Sequence, residues 1–194
     1  NSYTEGEISY GESIIAPVLT KRGYTGSWDI NPAHTMPAKD LSYEMIWTAN
    51  KYDVTFDKGD GVVISSKACT FDESYGTLPE PAKKGYTFAG WYTDAEGGKK
   101  VTEDTQMTTA ENHTLYAHWD IITYTIGYEL NDGTNSSQNP LKYNVEQLVV
   151  IKEPTKKGHS FIGWTWEGQD EPVHDVVLDG AVGNRTYEAH WKIN

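Results

Sequence analysis

Acidic residues gather around two Asp-Gly steps, Asp57 to Gly61 and Glu129 to Gly133. Carboxylates so placed raise the question of a calcium loop. Asp57-Lys58-Gly59-Asp60-Gly61 lacks the alternating ligands and distal Glu that such a loop needs. Asp-Gly is also a standard hairpin turn, so these runs read as turns. His118 and His190 recur at one position of a repeated pattern, but neither has a second ligand at metal spacing. They read as outward strand residues, and no metal site is expected. Cys69 with Gln106 would supply the two partners of an internal thioester, yet no dedicated site surrounds them and Cys69 does not recur. A Lys–Asn isopeptide crosslink needs a buried Lys beside an Asn and a carboxylate, and the candidate lysines fall in turns. Serines and six histidines are present without a Gly-x-Ser-x-Gly elbow, and a P-loop and a GxGxxG are both absent. No catalytic residue and no cofactor is expected.

What must position these side chains is a repeat. Gly85-Tyr86-Thr87-Phe88-Ala89-Gly90-Trp91 returns as Gly158-His159-Ser160-Phe161-Ile162-Gly163-Trp164, and Leu115-Tyr116-Ala117-His118-Trp119 is echoed in Tyr187-Glu188-Ala189-His190-Trp191. Trp91 and Trp164 are 73 residues apart, Trp119 and Trp191 are 72. Such a period marks tandem units that space, reach or bind more often than they catalyse. Within each copy a tyrosine (Tyr75, Tyr143), a proline (Pro81, Pro154) and a basic-basic-Gly turn precede the first Trp. An earlier partial copy has Pro17, Lys21-Arg22-Gly23-Tyr24, Trp28 and Trp47, and lacks the opening strand found at Tyr52 and Tyr124. The expected division is therefore a partial or degenerate first repeat over 1–50, a second over 51–121 and a third over 122–194.

The local signals are for strands. Leu115, Ala117 and Trp119 alternate with Thr114, Tyr116 and His118, and Tyr187, Ala189 and Trp191 alternate with Thr186, Glu188 and His190. The Trp-bearing face is the one expected to be buried. Tyr52 to Phe56 reads as a strand broken by Lys58-Gly59-Asp60-Gly61. Three or four strands per unit are expected, with short helical turns in Asp94 to Ala110 and Gly168 to Val182. Four residues separate Trp47 from Tyr52 and Trp119 from Tyr124, which leaves neighbouring units little freedom. Six of the seven Trp fall at repeat positions and read as core. Trp166 does not; its aligned neighbour is Thr93. Trp166, with Tyr92 in the second copy, is the candidate platform for stacking a sugar ring, against the simpler reading of local packing in the third copy.

A net charge of -12 argues against nucleic acid and anionic membrane surfaces, which call for basic patches. Cys69 is the single cysteine, so the chain has no internal disulfide. No apolar run is long enough to span a membrane, and no leader or anchor motif is present. The chain reads as a segment of something longer, a monomer in isolation.

Tyr124-Thr125-Ile126-Gly127-Tyr128-Glu129-Leu130-Asn131-Asp132-Gly133-Thr134-Asn135, followed by Pro154-Thr155-Lys156-Lys157-Gly158 through Trp164, resembles the Listeria–Bacteroides repeat, the B-repeat of internalin B. Tyr86 to Tyr92 and Met36-Pro37-Ala38-Lys39-Asp40-Leu41 are similar to it as well. The resemblance implies mostly β, small α+β, β-grasp-like units strung end to end as an elongated rod, with first and last strands adjacent and parallel. It implies residence in bacterial surface or secreted proteins and no catalysis. The expected function is a non-enzymatic stalk and interaction segment whose partners are other domains of the same protein. The alternative is a carbohydrate- or host-protein-binding adhesin module. A third reading has the incomplete first copy accepting a strand from a neighbouring chain. The sequence departs from the family in three places. The first copy's Gly23-Tyr24-Thr25-Gly26-Ser27-Trp28 is one residue short, His159 stands where Tyr24 and Tyr86 stand, and Lys58-Gly59-Asp60-Gly61 replaces an Asn-Gly-Gly turn.

Overall fold

The computed structural model of the chain describes residues 9–13, 17–29, 35 and 42–194. The Met36 to Leu41 stretch that contributed to the family resemblance lies outside the described residues, as do parts of the first copy. Among the described residues there are fourteen strands and no helix. They are β1 (Tyr24–Trp28), β2 (Met45–Ala49), β3 (Lys51–Asp57), β4 (Val63–Thr70), β5 (Tyr86–Tyr92), β6 (Lys100–Val101), β7 (His113–Ile121), β8 (Tyr124–Glu129), β9 (Lys142–Tyr143), β10 (Val149–Ile151), β11 (His159–Trp166), β12 (Gln169–Val173), β13 (Val176–Leu178) and β14 (Arg185–Ile193). The architecture is mostly β. The described residues form two compact units, one of those up to Pro79 with Gly90–Ala117 and the other of Glu80–Ala89 with His118–Asn194.

In the first unit β1 and β2 pair antiparallel from Tyr24↔Ala49 to Trp28↔Met45. β3 pairs antiparallel with β4 and parallel with β7, matching Val54 to His113 and Phe56 to Leu115. These strands belong to a sheet of order β4-β3-β7-β5-β6. Alternation along β3 and β7 sends Val54, Phe56, Leu115 and Ala117 inward, and Cys69, Tyr75, Trp91 and Met107 are buried as well. Trp91 is 2% exposed and stands edge-on to Phe56 with ring centroids 4.9 Å apart. Its indole N–H donates to the Pro79 carbonyl at 2.7 Å.

The second unit holds a sheet of order β12-β11-β14-β8-β9 and the small sheet β10-β13. β8 and β14 run parallel, Ile126 opposite Arg185 and Tyr128 opposite Tyr187, the same first-with-last pairing as β3 and β7. Ile126, Tyr143, Ile151, Trp164, Val176, Leu178, Tyr187 and Ala189 form one core. Trp164, fully buried, removes on the order of 200 Å² from water, about 5 kcal/mol of apolar burial.

Several expectations are corrected. No helical turn occurs in Asp94 to Ala110: Gly97 and Gly98 adopt φ of 72° and 74°, and the Thr93 N–H donates to the Lys99 carbonyl at 3.0 Å, closing a loop into β6. None occurs in Gly168 to Val182 either. Glu167-Gly168 is a two-residue turn with Trp166 opposite Gln169, and β12 and β13 follow. The strand count exceeds three or four in the second and third copies, because these loops themselves pair. The six repeat-position Trp are not equally core. Trp91 and Trp164 are buried, whereas Trp28, Trp47, Trp119 and Trp191 are half-buried. Trp191 keeps its indole edge near the surface, with Nε1 donating to the Leu130 carbonyl at 2.9 Å. Tyr75 and Tyr143 are not ladder equivalents: Tyr143 lies opposite Tyr124, as Cys69 lies opposite Tyr52.

Candidate functional site

The Asp-Gly runs are turns. The Asp57 carboxylate accepts the Gly59 N–H at 2.8 Å, Lys58 N–H donates to Val62 at 2.9 Å, and Gly59, Asp60 and Gly61 all have positive φ. In the third copy Asn131 and Asp132 take positive φ, and the Asn131 amide donates to the Ala189 carbonyl at 3.0 Å. Asp57 and Asn131 are thus satisfied by the backbone around them. No group of three His, Cys, Asp or Glu side chains that could hold a metal exists among the described residues. His190 makes a 2.8 Å hydrogen bond with the Thr165 hydroxyl. Gln106 donates to the Asp72 carbonyl at 2.9 Å, while Cys69 is buried with its sulfur 3.9 Å from the Lys67 carbonyl and 4.0 Å from that of Tyr75. Burial pushes the Cys69 thiol pKa up, so it stays protonated at neutral pH. Lys67 is one lysine that lies in a strand, half-buried, donating to the Tyr75 and Thr77 carbonyls at 2.7 and 3.0 Å.

Trp166 closes β11 and is half-buried. Its ring meets Tyr187 edge-on at 5.4 Å and packs on the core of the second unit, which is the local packing that its irregular position suggested. Trp166 also borders an open cleft on that unit, lined among others by Glu129, Glu167, Asp170, Glu188 and His190. Glu188 accepts a hydrogen bond from the Asn131 amide at 3.1 Å. Tyr92 pairs with Lys100 in the first unit and does not line the cleft. The two aromatics singled out from sequence therefore differ in setting: Trp166 borders a concave acidic surface, while Tyr92 lies in a β5–β6 ladder.

A second arrangement was not visible in the sequence. Gly23, Gly85 and Gly158 are the third residues of turns closed by hydrogen bonds from Tyr24 to Lys21 (3.0 Å), Tyr86 to Lys83 (3.1 Å) and His159 to Lys156 (3.1 Å). Their φ values are 79°, 79° and 73°, a conformation only glycine adopts without strain. Their carbonyls accept the N–H groups of Asn50, Ile122 and Asn194, at 2.8, 2.9 and 3.2 Å. The backbone is the same three times, but its cover is not. Gly23 is buried against Phe71, whose ring would lie 2.4 Å from an added Cβ, and the Tyr24 hydroxyl donates to Asp72 at 2.6 Å. That acceptor, above burial and the carboxylate's charge, raises the Tyr24 pKa. Gly85 is buried against Val145, 2.5 Å from an added Cβ, and the Tyr86 hydroxyl donates to Glu146. Gly158 is exposed with nothing within 4 Å of an added Cβ.

These features define a tandem-repeat β protein in which parallel first and last strands frame each full copy and a glycine turn carries contacts onward to the next. Residues 52–118 and 124–171 match the Listeria-Bacteroides repeat domain. The chain belongs to that family. It is 31% identical over 170 residues, 88% of its length, to a protein of Evansella cellulosilytica named as a membrane protein, and 29% identical over 218 aligned positions, its whole length, to one from the same organism named as a Gly-rich membrane protein. The chain covers 25% of each. It is 37% identical over 84 residues, 43% of its length and 15% of the relative's, to internalin H of Listeria monocytogenes. Among the described residues no helix is long and apolar enough to cross a membrane.

Proposed function

We propose that this chain is a non-enzymatic repeat segment of a bacterial cell-surface or secreted protein, spacing and presenting other domains of that protein. The observation that carries the reading is the turn at Gly85. It lies in one family match and is packed against Val145 in the other, with Tyr86 bonded to Glu146. The turn at Gly23 repeats this toward Phe71 and Asp72. A spacer needs each copy fastened to the next, and a buried glycine beneath an apolar side chain with a hydroxyl–carboxylate bond beside it supplies such a fastening. The names of the relatives, two membrane proteins and an internalin, support a surface setting. Small-angle scattering of the chain tests the proposal. A globule of this length has a radius of gyration of about 16 Å; a value well above it is expected, and one near it would refute spacing.

The acidic cleft at Trp166 favours a second reading, a module that binds a glycan or a host protein there, with Tyr92 a separate aromatic candidate in the first unit. A half-buried indole bordering a concave polar surface suits a sugar face. A glycan array and a pull-down separate the readings. Retention that is lost in Trp166→Ala supports binding, and no retention above background leaves spacing alone.

A further inference from the structure

The third copy's turn, Lys156-Lys157-Gly158-His159, has the geometry of the two that are covered, yet Gly158 is exposed. We propose that this turn is an unfilled joint, and that its occupant is a further repeat of the same family carried on the C-terminal side of the same polypeptide. The occupant's chemistry is fixed by the two filled joints. Each is filled by an apolar residue followed by an acidic one, Phe71-Asp72 and Val145-Glu146. Each pair stands just past the second strand of its copy, after β4 ends at Thr70 and after β9 ends at Tyr143. Each turn reaches the copy that follows its own, never the one before. The incoming apolar side chain would cover Gly158, where no Cβ intervenes. The incoming carboxylate would meet His159, whose Nδ1–H donates to the Lys157 carbonyl at 3.0 Å; Nε2 donates to that carboxylate in the imidazolium, where both ring nitrogens carry protons.

A second copy of this chain fits less well, because its Phe71-Asp72 and Val145-Glu146 pairs are already seated on its own turns. The inference rests on the spacer reading for its choice of occupant.

The test is a chain lengthened by appending a second copy of residues 123–194 after Asn194, so that Asn194 stands where Ile122 stands in the joint at Gly85. Amide hydrogen exchange is read on peptides covering 156–160 in the parent and the lengthened chain, whose appended copy carries Lys157→Arg so that its own peptide differs in mass. Exchange there is expected to slow about tenfold or more, with no change elsewhere in residues 9–150. Changing the appended copy's Val145 to Ser and Glu146 to Gln should restore the parent's rate. Unaltered exchange at 156–160 in a lengthened chain whose appended copy is itself protected would overturn the proposal. Concentration-dependent protection of the parent alone would also overturn it, since the occupant would then be a second chain. Scattering on the same samples keeps the two readings apart. A particle that lengthens without protection at 156–160 sinks the joint and leaves the spacer; protection without lengthening sinks the spacer.

Discussion

Substituting alanine at Gly23, Gly85 and Gly158 separates the strain of a turn from the steric demand of a contact. All three sit at φ between 73° and 79°, so each Ala carries the same left-handed penalty of about 1–2 kcal/mol. Only two carry a clash. At Gly85 the new methyl would lie 2.5 Å from the Val145 Cβ and 2.6 Å from its Cγ1. A rotamer change cannot move a Cβ, so the backbone of one partner must shift. At Gly23 the methyl would meet the Phe71 ring at 2.4 to 2.6 Å, and Phe71 is buried. Overpacking of this kind adds about 1–3 kcal/mol, giving about 2–5 kcal/mol for G23A and G85A against about 1–2 for G158A. Two compact units need not unfold together, so the readout is residue-resolved amide exchange near each turn, not one melting temperature. A double-mutant cycle with Val145→Gly should recover much of the G85A cost, as an interaction term of about 1–3 kcal/mol. Equal costs at all three glycines, with no coupling to Val145, would refute the claim that the turns at Gly23 and Gly85 are joints.

Trp91→Phe should destabilise its unit by about 1 kcal/mol more than Trp164→Phe does, because the former strands the Pro79 carbonyl while the latter removes a buried N–H that has no acceptor; denaturant series followed by exchange in each core measure the difference. Asn139→Ala should cost about 2 kcal/mol or more and speed exchange of the Lys152 amide, since the buried Asn139 side chain accepts that N–H at 2.6 Å and donates to the Lys152 carbonyl at 2.8 Å. Burial, reinforced by Tyr187, pushes the Tyr128 pKa up from 10.0 to about 12. An acid whose folded pKa is raised contributes stability that is whole below pH 10 and is lost as pH rises toward 12. Stability followed across that window by tyrosinate absorbance and circular dichroism should fall less steeply in Tyr128→Phe than in the parent.

The parts of the fold legible in the sequence are those set by one or two residues. Alternation in Leu115-Tyr116-Ala117 and Tyr187-Glu188-Ala189 decides which side chains turn inward, and Leu115, Ala117, Tyr187 and Ala189 are buried. Asp-Gly and Lys-Lys-Gly marked turns because positive φ is a local cost that few residues tolerate. Irregular stretches misled. Gly168 to Val182 has no strand period because its bends are frequent, yet β12 folds back on β11 across Glu167-Gly168, and β13 pairs with β10, a strand the sequence does not place beside it. The joints were invisible for a related reason. Nothing about Val145 or Phe71 distinguishes it from any other apolar residue until the chain brings it over a glycine 60 or 48 residues earlier. Trp166 was legible as an exception to the period, but its setting depends on Glu129, Glu167, Asp170 and Glu188, which three different strands and a turn bring to one cleft.

One carbonyl shows how two copies keep a frame while exchanging its fastenings. Twelve residues before each central Trp stands a peptide oxygen, that of Pro79 before Trp91 and that of Lys152 before Trp164. In the second copy it accepts the indole N–H at 2.7 Å. In the third it accepts the Asn139 amide instead, and the Trp164 N–H is left buried without an acceptor. A buried donor without a partner costs about 1–3 kcal/mol, so the exchange is tolerable only if Asn139 returns a comparable amount. It has the bonds to do so: it also accepts the Lys152 N–H and donates to Asn135 at 2.6 Å. Those bonds tie the segment following β8 to β10's approach, where the second copy instead has the eight-residue β4 paired along the whole of β3. The third copy's β9 is two residues long and cannot supply that ladder. Asn139 therefore replaces a run of strand pairing with a side-chain clasp, and Trp164's missing acceptor follows from that replacement.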